Sequence, residues 1–154
     1  MKLKGVVNVK IITQNRKARH EYLIEETYEA GIQLKGSEIK SVRAGKVNLN
    51  DAYVDIIDGE LFVVGMHISH YHASSHFNHP ETRDRKLLMH KREIIRLQAR
   101  KEREGYTIIP LKMYFKAALV KVEIAVAKGK KLYDKRQSIK QEEQKRRLRK
   151  LGLR

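Results

Sequence analysis

The thirteen residues from Tyr22 to Leu34 constrain this chain more than any other stretch. Tyr22, Ile24, Tyr28, Ala30, Ile32 and Leu34 are apolar, and Glu25, Thr27, Glu29 and Gln33 between them are polar. Period-two alternation places the two sets on opposite faces of an extended chain, so the segment predicts a strand with one face in a core and one in solvent. Glu26 interrupts the inward set, Leu23 interrupts the outward set, and Gly31 is a point where the strand can bend. A long half-solvated strand belongs in an antiparallel sheet, since parallel sheets are covered on both faces.

The remaining pattern supplies partners for that strand. Val6 to Ile12 predicts a short strand, and the polar, basic run Thr13 to Glu21 after it is expected on the surface. Gly36-Ser37 opens a helix from Glu38 to Ala44, with Ser37 as its cap, Glu38 in its positive first turn and Gly45 as its stop. Ala52–Ile57 and Glu60–His67 flank Asp58-Gly59, the sequence of a tight hairpin. Ile68 to Glu81 is irregular and histidine-rich, and is expected to be a surface loop. Asp84 to Glu104 predicts a strongly basic helix, capped by Asp84 and closed by Gly105, with Leu87, Leu88, Ile94 and Ile95 on one face.

Tyr106 to Phe115 follows as a strand with Ile109, Leu111, Met113 and Phe115 on one face. Pro110 lacks a backbone donor and so belongs at an edge or bulge. After the turn Lys116-Ala117-Ala118, a last strand runs from Leu119 to Ala127. The expected fold is mainly β with flanking helices near 37–44 and 84–104, closing over residues 1–132 into a small antiparallel barrel of the oligonucleotide-binding (OB) type. Closure hides the edges that a lone sheet would expose.

Residues 133–154 are different in kind. From Lys128 to Arg154 there are twelve Lys or Arg against three acids, so this stretch holds nine of the sixteen net positive charges. Ile139, Leu148, Leu151 and Leu153 are too sparse to build a core, and their burial cannot offset about 1–2 kcal/mol of backbone entropy per residue. The tail is expected to be disordered alone and to become helical on RNA. A charge of this sign and size implies a polyanionic partner, with nucleic acid favoured over an anionic membrane surface. Without cysteine there is no disulfide framework or zinc ribbon. No apolar run approaches a membrane span or an export signal, so a cytosolic protein is expected.

No catalytic constellation emerges. Gly31 to Gly36 has the glycine spacing of a phosphate loop, but Ser37-Glu38 stands where Lys-Ser/Thr is required. His67, His70, His72, His76 and His79 crowd one loop without a thiolate or a regular spacing; they read as a polar loop, and no metal, cofactor or enzymatic activity is expected. The basic surface is more informative. Asn15, Arg16, Lys17, Arg19 and His20 adjoin the long strand, and Lys40, Arg43, Lys86 and Lys128 add further positions for phosphate. Tyr22 and Tyr28 have rings that can stack on bases, although their register is that of the core. Glu29, on the polar side of the strand, would hydrogen-bond an RNA donor, orient a basic neighbour, or form an ordinary surface salt bridge. Alternatives are a general structured-RNA-binding or ribosomal protein of the same barrel class, or a metal-dependent nuclease built on the His67–His79 loop.

An ordered set of runs resembles the small protein B family, the transfer-messenger RNA-binding proteins of trans-translation. The runs are Asn15-Arg-Lys-Ala-Arg-His-Glu-Tyr22, Ile24 to Gly31, Gly36 to Lys46, Asn48 to Tyr53, Arg83 to Leu88, Arg92-Glu-Ile94, Glu104-Gly-Tyr106, Ala127 to Lys131 and Tyr133 to Arg136. The resemblance implies an OB-type barrel that binds the tRNA-like domain at its elbow. It implies alanylation by alanyl-tRNA synthetase and delivery with elongation factor Tu to 70S ribosomes stalled on broken messages. It further implies that the tail enters the 30S decoding centre and the vacant messenger channel. By position, Asn15, Glu29 and Leu88 match family RNA-binding residues. Tyr133, Asp134, Lys135, Arg136, Ile139 and Lys140, preceded by Lys130 and Lys131, match the tail's ribosome-contacting part. Asn78-His79-Pro80-Glu81, His70 and Ala117-Ala118 depart from the family pattern.

Overall fold

The computed structural model describes residues 8–71, 79–130, 142–150 and 152. Its elements run β1 (Val9–Gln14), α1 (Ala18–Glu21), β2 (Tyr22–Ile32), α2 (Gly36–Arg43), β3 (Val47–Asn48), β4 (Tyr53–Ile57), β5 (Glu60–Val64), β6 (His67–Ile68), β7 (Arg85–Leu88), α3 (Lys91–Glu104), β8 (Thr107–Lys116) and β9 (Leu119–Gly129). Seven strands form one sheet in the order β1-β8-β4-β5-β7-β2-β9, and β9 also pairs with β8. The pairings therefore run β8–β4–β5–β7–β2–β9 and return to β8, with every neighbour antiparallel. β1 lies outside this ring on β8.

The period-two pattern of Tyr22 to Leu34 folds as expected. β2 alternates half-buried and exposed residues from Tyr22 to Glu29 before Ala30 and Gly31 become buried. Inside the ring Ala30, Val54, Leu61, Val63, Leu87, Ile108, Met113 and Ile124 form the main core, closed by Val42 of α2 and Leu97 of α3. The β4–β5 turn has positive φ at both Asp58 and Gly59, as a tight right-twisted hairpin requires.

Three expectations about the elements are corrected. The helix from Asp84 is two elements. Arg85 and Leu87 are buried while Lys86 and Leu88 face outward, and this alternation makes β7 a strand paired with β5 and β2. The helix starts only after His90, and Asp84 does not cap it; Gly105 does close it, in the left-handed conformation. In α2 the N-cap is Lys35, not Ser37; Glu38 is in the first turn as expected, and it is buried there. The four residues of β8 expected to share a face are divided. A register shift between Pro110 and Lys112 leaves Ile109 and Leu111 packed with Ala18, Ala125 and Ala127, while Met113 and Phe115 join the main core. Pro110 sits at that bulge, where its missing N–H costs the ladder nothing.

The tail also departs from expectation where it is described. Residues 142–150 are helical, not disordered, and all nine are exposed. Good helix formers and the i,i+4 pairs Glu142/Arg146 and Glu143/Arg147 favour a helix locally, without burial. No helix among the described residues is long and apolar enough to cross a membrane.

Candidate nucleic-acid interface

Asn15 follows β1 directly and is buried, which corrects its expected surface position. Its backbone N–H donates to the Leu111 carbonyl at 2.7 Å, and its Nδ2 donates to the Pro110 carbonyl at 3.0 Å. Asn15 thus clasps the start of α1 onto the β8 bulge. Its Oδ1 is buried and has no hydrogen-bond partner among the described residues. Ala18 fills the small second core beneath, so Arg16, Lys17, Arg19 and His20 all point into solvent. Arg16, Arg19 and His20 line a shared depression with Lys112 and Glu123.

Glu29 lies further along β2 on the outward face, directly across from Glu123 of β9. Tyr114 donates its phenolic O–H to Glu29 Oε2 at 2.5 Å, and Lys116 Nζ reaches Oε1 at 3.1 Å. The Tyr114 hydrogen bond holds the Glu29 carboxyl below the usual carboxylate range, against a smaller opposing effect of burial, with Lys116 and Lys121 helping. Burial raises the Tyr114 phenol, and the Glu29 hydrogen bond raises it further. Lys112 approaches Glu123 at 3.5 Å. The outward face of β2–β9–β8 is therefore a mosaic of carboxylates set among lysines.

Where β2 ends, Gly31 pairs with both Leu88 and Lys121. A Cβ on Gly31 would stand 3.3 Å from the Leu88 Cβ, so glycine permits this close approach. Leu88 is 46% exposed and Leu119 62% exposed; with Leu34 and Phe115 they line a shallow groove rimmed by Arg43 and Lys121. Leu88, expected on the buried face of a helix, faces outward on a strand. Lys40 is exposed with its Nζ 5.4 Å from the centre of the Tyr71 ring, and Lys86 pairs with Glu60 at 3.1 Å.

At the opposite end of the same two strands, Leu23 pairs with Lys128 and Tyr22 with Gly129. Lys128 Nζ lies 4.5 Å from the Tyr106 ring centre, and Lys130 Nζ donates to the Arg19 carbonyl at 2.7 Å. The chain thus leaves the sheet beside α1. Nine residue steps separate this end from Gly31, roughly 30 Å at strand rise. Of the expected RNA-binding residues, Arg43 and Leu88 lie at the Gly31 end and Lys128 at the other, while Arg16, Arg19 and His20 share their depression with Glu123, the residue opposite Glu29. Lys131, Tyr133, Asp134, Lys135, Arg136, Ile139 and Lys140 lie outside the described residues.

The histidine-rich segment is only partly a surface loop. His79 is buried: its Nε2 donates to the Ile68 carbonyl at 2.9 Å, and its Nδ1 lies within hydrogen-bond distance of Ser37 Oγ at 2.9 Å. His67 pairs with Glu81 at 2.8 Å. Among the described residues no group of three His, Asp or Glu is placed to hold a metal ion.

Sequence reasoning missed Tyr114, Lys112, Lys116 and Glu123 as members of this surface. Lys112, Tyr114 and Lys116 do alternate, but which face they share depends on the bulge at Pro110, and that is set by pairing partners distant in sequence.

Comparison with known proteins adds an independent line. The model of the SmpB protein family matches residues 12–152. An SsrA-binding protein of Roseiflexus sp. (strain RS-1) is 56% identical over 138 residues, covering 89% of this chain and 87% of that protein. An SsrA-binding protein of Caldicellulosiruptor bescii is 58% identical over 132 residues, covering 86% and 84%. A chain from a solved structure described as "tmRNA-SmpB: a journey to the center of the bacterial ribosome" superimposes with a TM-score of 0.65 at 47% identity, covering 76% of this chain and 82% of its own.

Proposed function

The chain belongs to the SmpB family, and from that premise we propose that it binds transfer-messenger RNA and brings it to stalled ribosomes for trans-translation. The observation that carries this is similarity over nearly the whole chain to SsrA-binding proteins, together with an outward sheet face of Glu29, Lys112, Lys116 and Lys121 that continues into the Leu88 groove. Phosphate contacts from the lysines and arginines position an RNA, and the exposed leucines and carboxylates supply contacts that a uniform phosphate field would not.

In this reading the ring of antiparallel pairings is a closed OB-type barrel, and the Glu29–Arg43–Leu88 end holds the elbow of the tRNA-like domain. Asn15, Arg16, Lys17, Arg19 and His20 add to the surface for the tRNA-like domain, and the tail serves the ribosome, with Tyr133, Asp134, Lys135 and Arg136 reaching the decoding centre. The protein acts without catalysis, in the cytoplasm. Alanyl-tRNA synthetase and elongation factor Tu engage the RNA rather than this chain alone.

The test is deletion of Tyr133 to Arg154. Binding to the isolated tRNA-like domain should remain within a small factor of the full chain, while peptide tagging on stalled ribosomes is lost. Equal loss of both activities would remove the two-ended arrangement.

A further inference from the structure

We infer that Tyr114 is a positioning residue for RNA recognition: its phenol fixes the Glu29 carboxylate on the outward sheet face, so that the remaining lone pairs accept hydrogen bonds from base or ribose donors of the RNA. This rests on the reading above that the Glu29 face contacts RNA.

The geometry is specific. Glu29 is on β2 and Tyr114 on β8, with β9 between them; Glu29 is opposite Glu123, and Tyr114 is opposite Lys121. Two strand spacings of about 4.8 Å separate their backbones. A long, rigid side chain is needed to span that gap from one side, and Tyr114 does so with its ring buried at 5% exposure. Its hydroxyl meets Glu29 Oε2.

The chemistry is selective too. A carboxylate offers about four acceptor sites. Tyr114 occupies one on Oε2, Lys116 reaches Oε1 at 3.1 Å and Oε2 at 3.4 Å, and the Glu29 side chain stays 37% exposed. That exposure leaves acceptor capacity open to a ligand. Tyr114 is a neutral donor, so it orients Glu29 without cancelling its charge, as a second lysine would. A negative carboxylate repels phosphate and attracts N–H and 2′-hydroxyl groups. At this point a basic surface rejects backbone and admits a base edge or ribose. Tyr114 has two torsions and a packed ring, whereas Lys116 is long, unbranched and 40% exposed, so direction comes from the phenol.

The experiment is a double-mutant cycle on the full chain, measuring dissociation of a labelled tRNA-like-domain RNA from the unaltered protein, Glu29→Ala, Tyr114→Phe and the double variant. Tyr114→Phe should weaken binding by about 3–10-fold, the scale of one hydrogen bond. In the Glu29→Ala background the same change should cost less than about two-fold, because the two residues act as one unit. Lowering the pH should enlarge the Tyr114→Phe defect. Without the phenol, Glu29 loses the main influence lowering its pKa and takes up a proton at higher pH, an effect that a packing role would not produce.

Equal cost in both backgrounds, or no cost in either, overturns the proposal. Should Glu29→Ala bind as tightly as the unaltered chain, the reading of this face as an RNA contact fails with it. Should Glu29→Ala weaken binding while Tyr114→Phe does not, only the positioning role fails. If Tyr114→Phe does not fold, carbon-13 titration of the Glu29 carboxyl in the unaltered chain decides: a resonance shifted by RNA while still ionised supports the assignment, and one indifferent to RNA overturns it.

Discussion

Two carboxylates in this protein look alike as lists of partners and differ in what the chain leaves for others. Glu38, at the start of α2, is fully buried. It accepts the Lys35 backbone N–H at 2.8 Å, Arg83 through Nη2 at 2.5 Å, and Arg85 through Nε. The rest of the Arg85 guanidinium is used on the carbonyls of Met66, Glu81, Arg83 and Pro80. Nothing in that cluster remains unpaired, and it ties α2, β6, the 79–84 segment and β7 together. Glu29 has Tyr114 on one oxygen and Lys116 across both, and its side chain is still 37% exposed. An acid with its hydrogen bonds exhausted inside the molecule serves the fold. One held in place but left unsaturated is free to serve a ligand.

The sharpest way to break this contrast is Glu38→Ala. Arg85, with no exposed surface, would keep its charge and lose its counter-ion. Breaking one side of a buried pair costs about 3–5 kcal/mol, which urea unfolding would read directly. A loss near zero would place Glu38 in the same class as Glu29. Acid sharpens the same point. Burial pushes the Glu38 carboxyl up, but hydrogen bonds from Arg83, the Lys35 N–H and Arg85 outweigh it and leave it below its ordinary value. A group whose folded pKa is depressed contributes stability above its unfolded value of about 4.3 and loses that contribution as pH falls through the folded value. The unaltered chain should therefore show a stability loss below about pH 4.3 that is diminished in Glu38→Ala.

Glu29→Ala comes next in size and should act on the other observable. Removing a charged acceptor should weaken RNA binding by roughly 10-fold, although the net positive charge rises by one. Stability should change by less than about 1 kcal/mol, because an exposed pair contributes little. Tighter binding would make Glu29 a mere electrostatic liability, and the contrast with Glu38 would lose its functional half.

The contrast was only half legible in the sequence. Glu29 could be placed on the outward face of β2 because alternation is a local property, and the Asp58-Gly59 turn and the Gly105 stop were legible for the same reason. Glu38 was placed correctly in the first turn of α2, but its burial was not legible because its partners, Arg83 and Arg85, are 45 and 47 residues away. Arg85 itself was assigned to a helix, since Leu87 and Leu88 happened to stand at helical spacing from Ile94 and Ile95. A period of two over four residues is too short to outweigh such a match. Tyr114 escaped because its direction depends on the Pro110 bulge, and Asn15 because a buried amide clasp has no periodic signature. The family resemblance had singled out Asn15, Glu29 and Leu88. The structure adds what each touches: a clasp beneath α1, a carboxylate held by a phenol, and a leucine opposite a glycine.

The smallest expected effect concerns Lys86, which sits two residues before Leu88 on the same outward face of β7. Its ammonium pairs with Glu60 at 3.1 Å, and both side chains are substantially exposed. Lys86→Ala should change stability by no more than about 0.5 kcal/mol, as for other exposed pairs. If Lys86 touches phosphate, the substitution should lower the slope of log affinity against log salt by about one, with a similar loss for any structured RNA. If Glu60 keeps it occupied, the slope should not move. A salt titration separates the two results where a single affinity would not, and an unchanged slope would confine the RNA surface to the β2–β9–β8 face and the Leu88 groove. Lys86 would then mark the limit of that surface, an ion pair saturated by its own neighbour as Glu38 is, but in water, where the saturation contributes almost nothing to the fold.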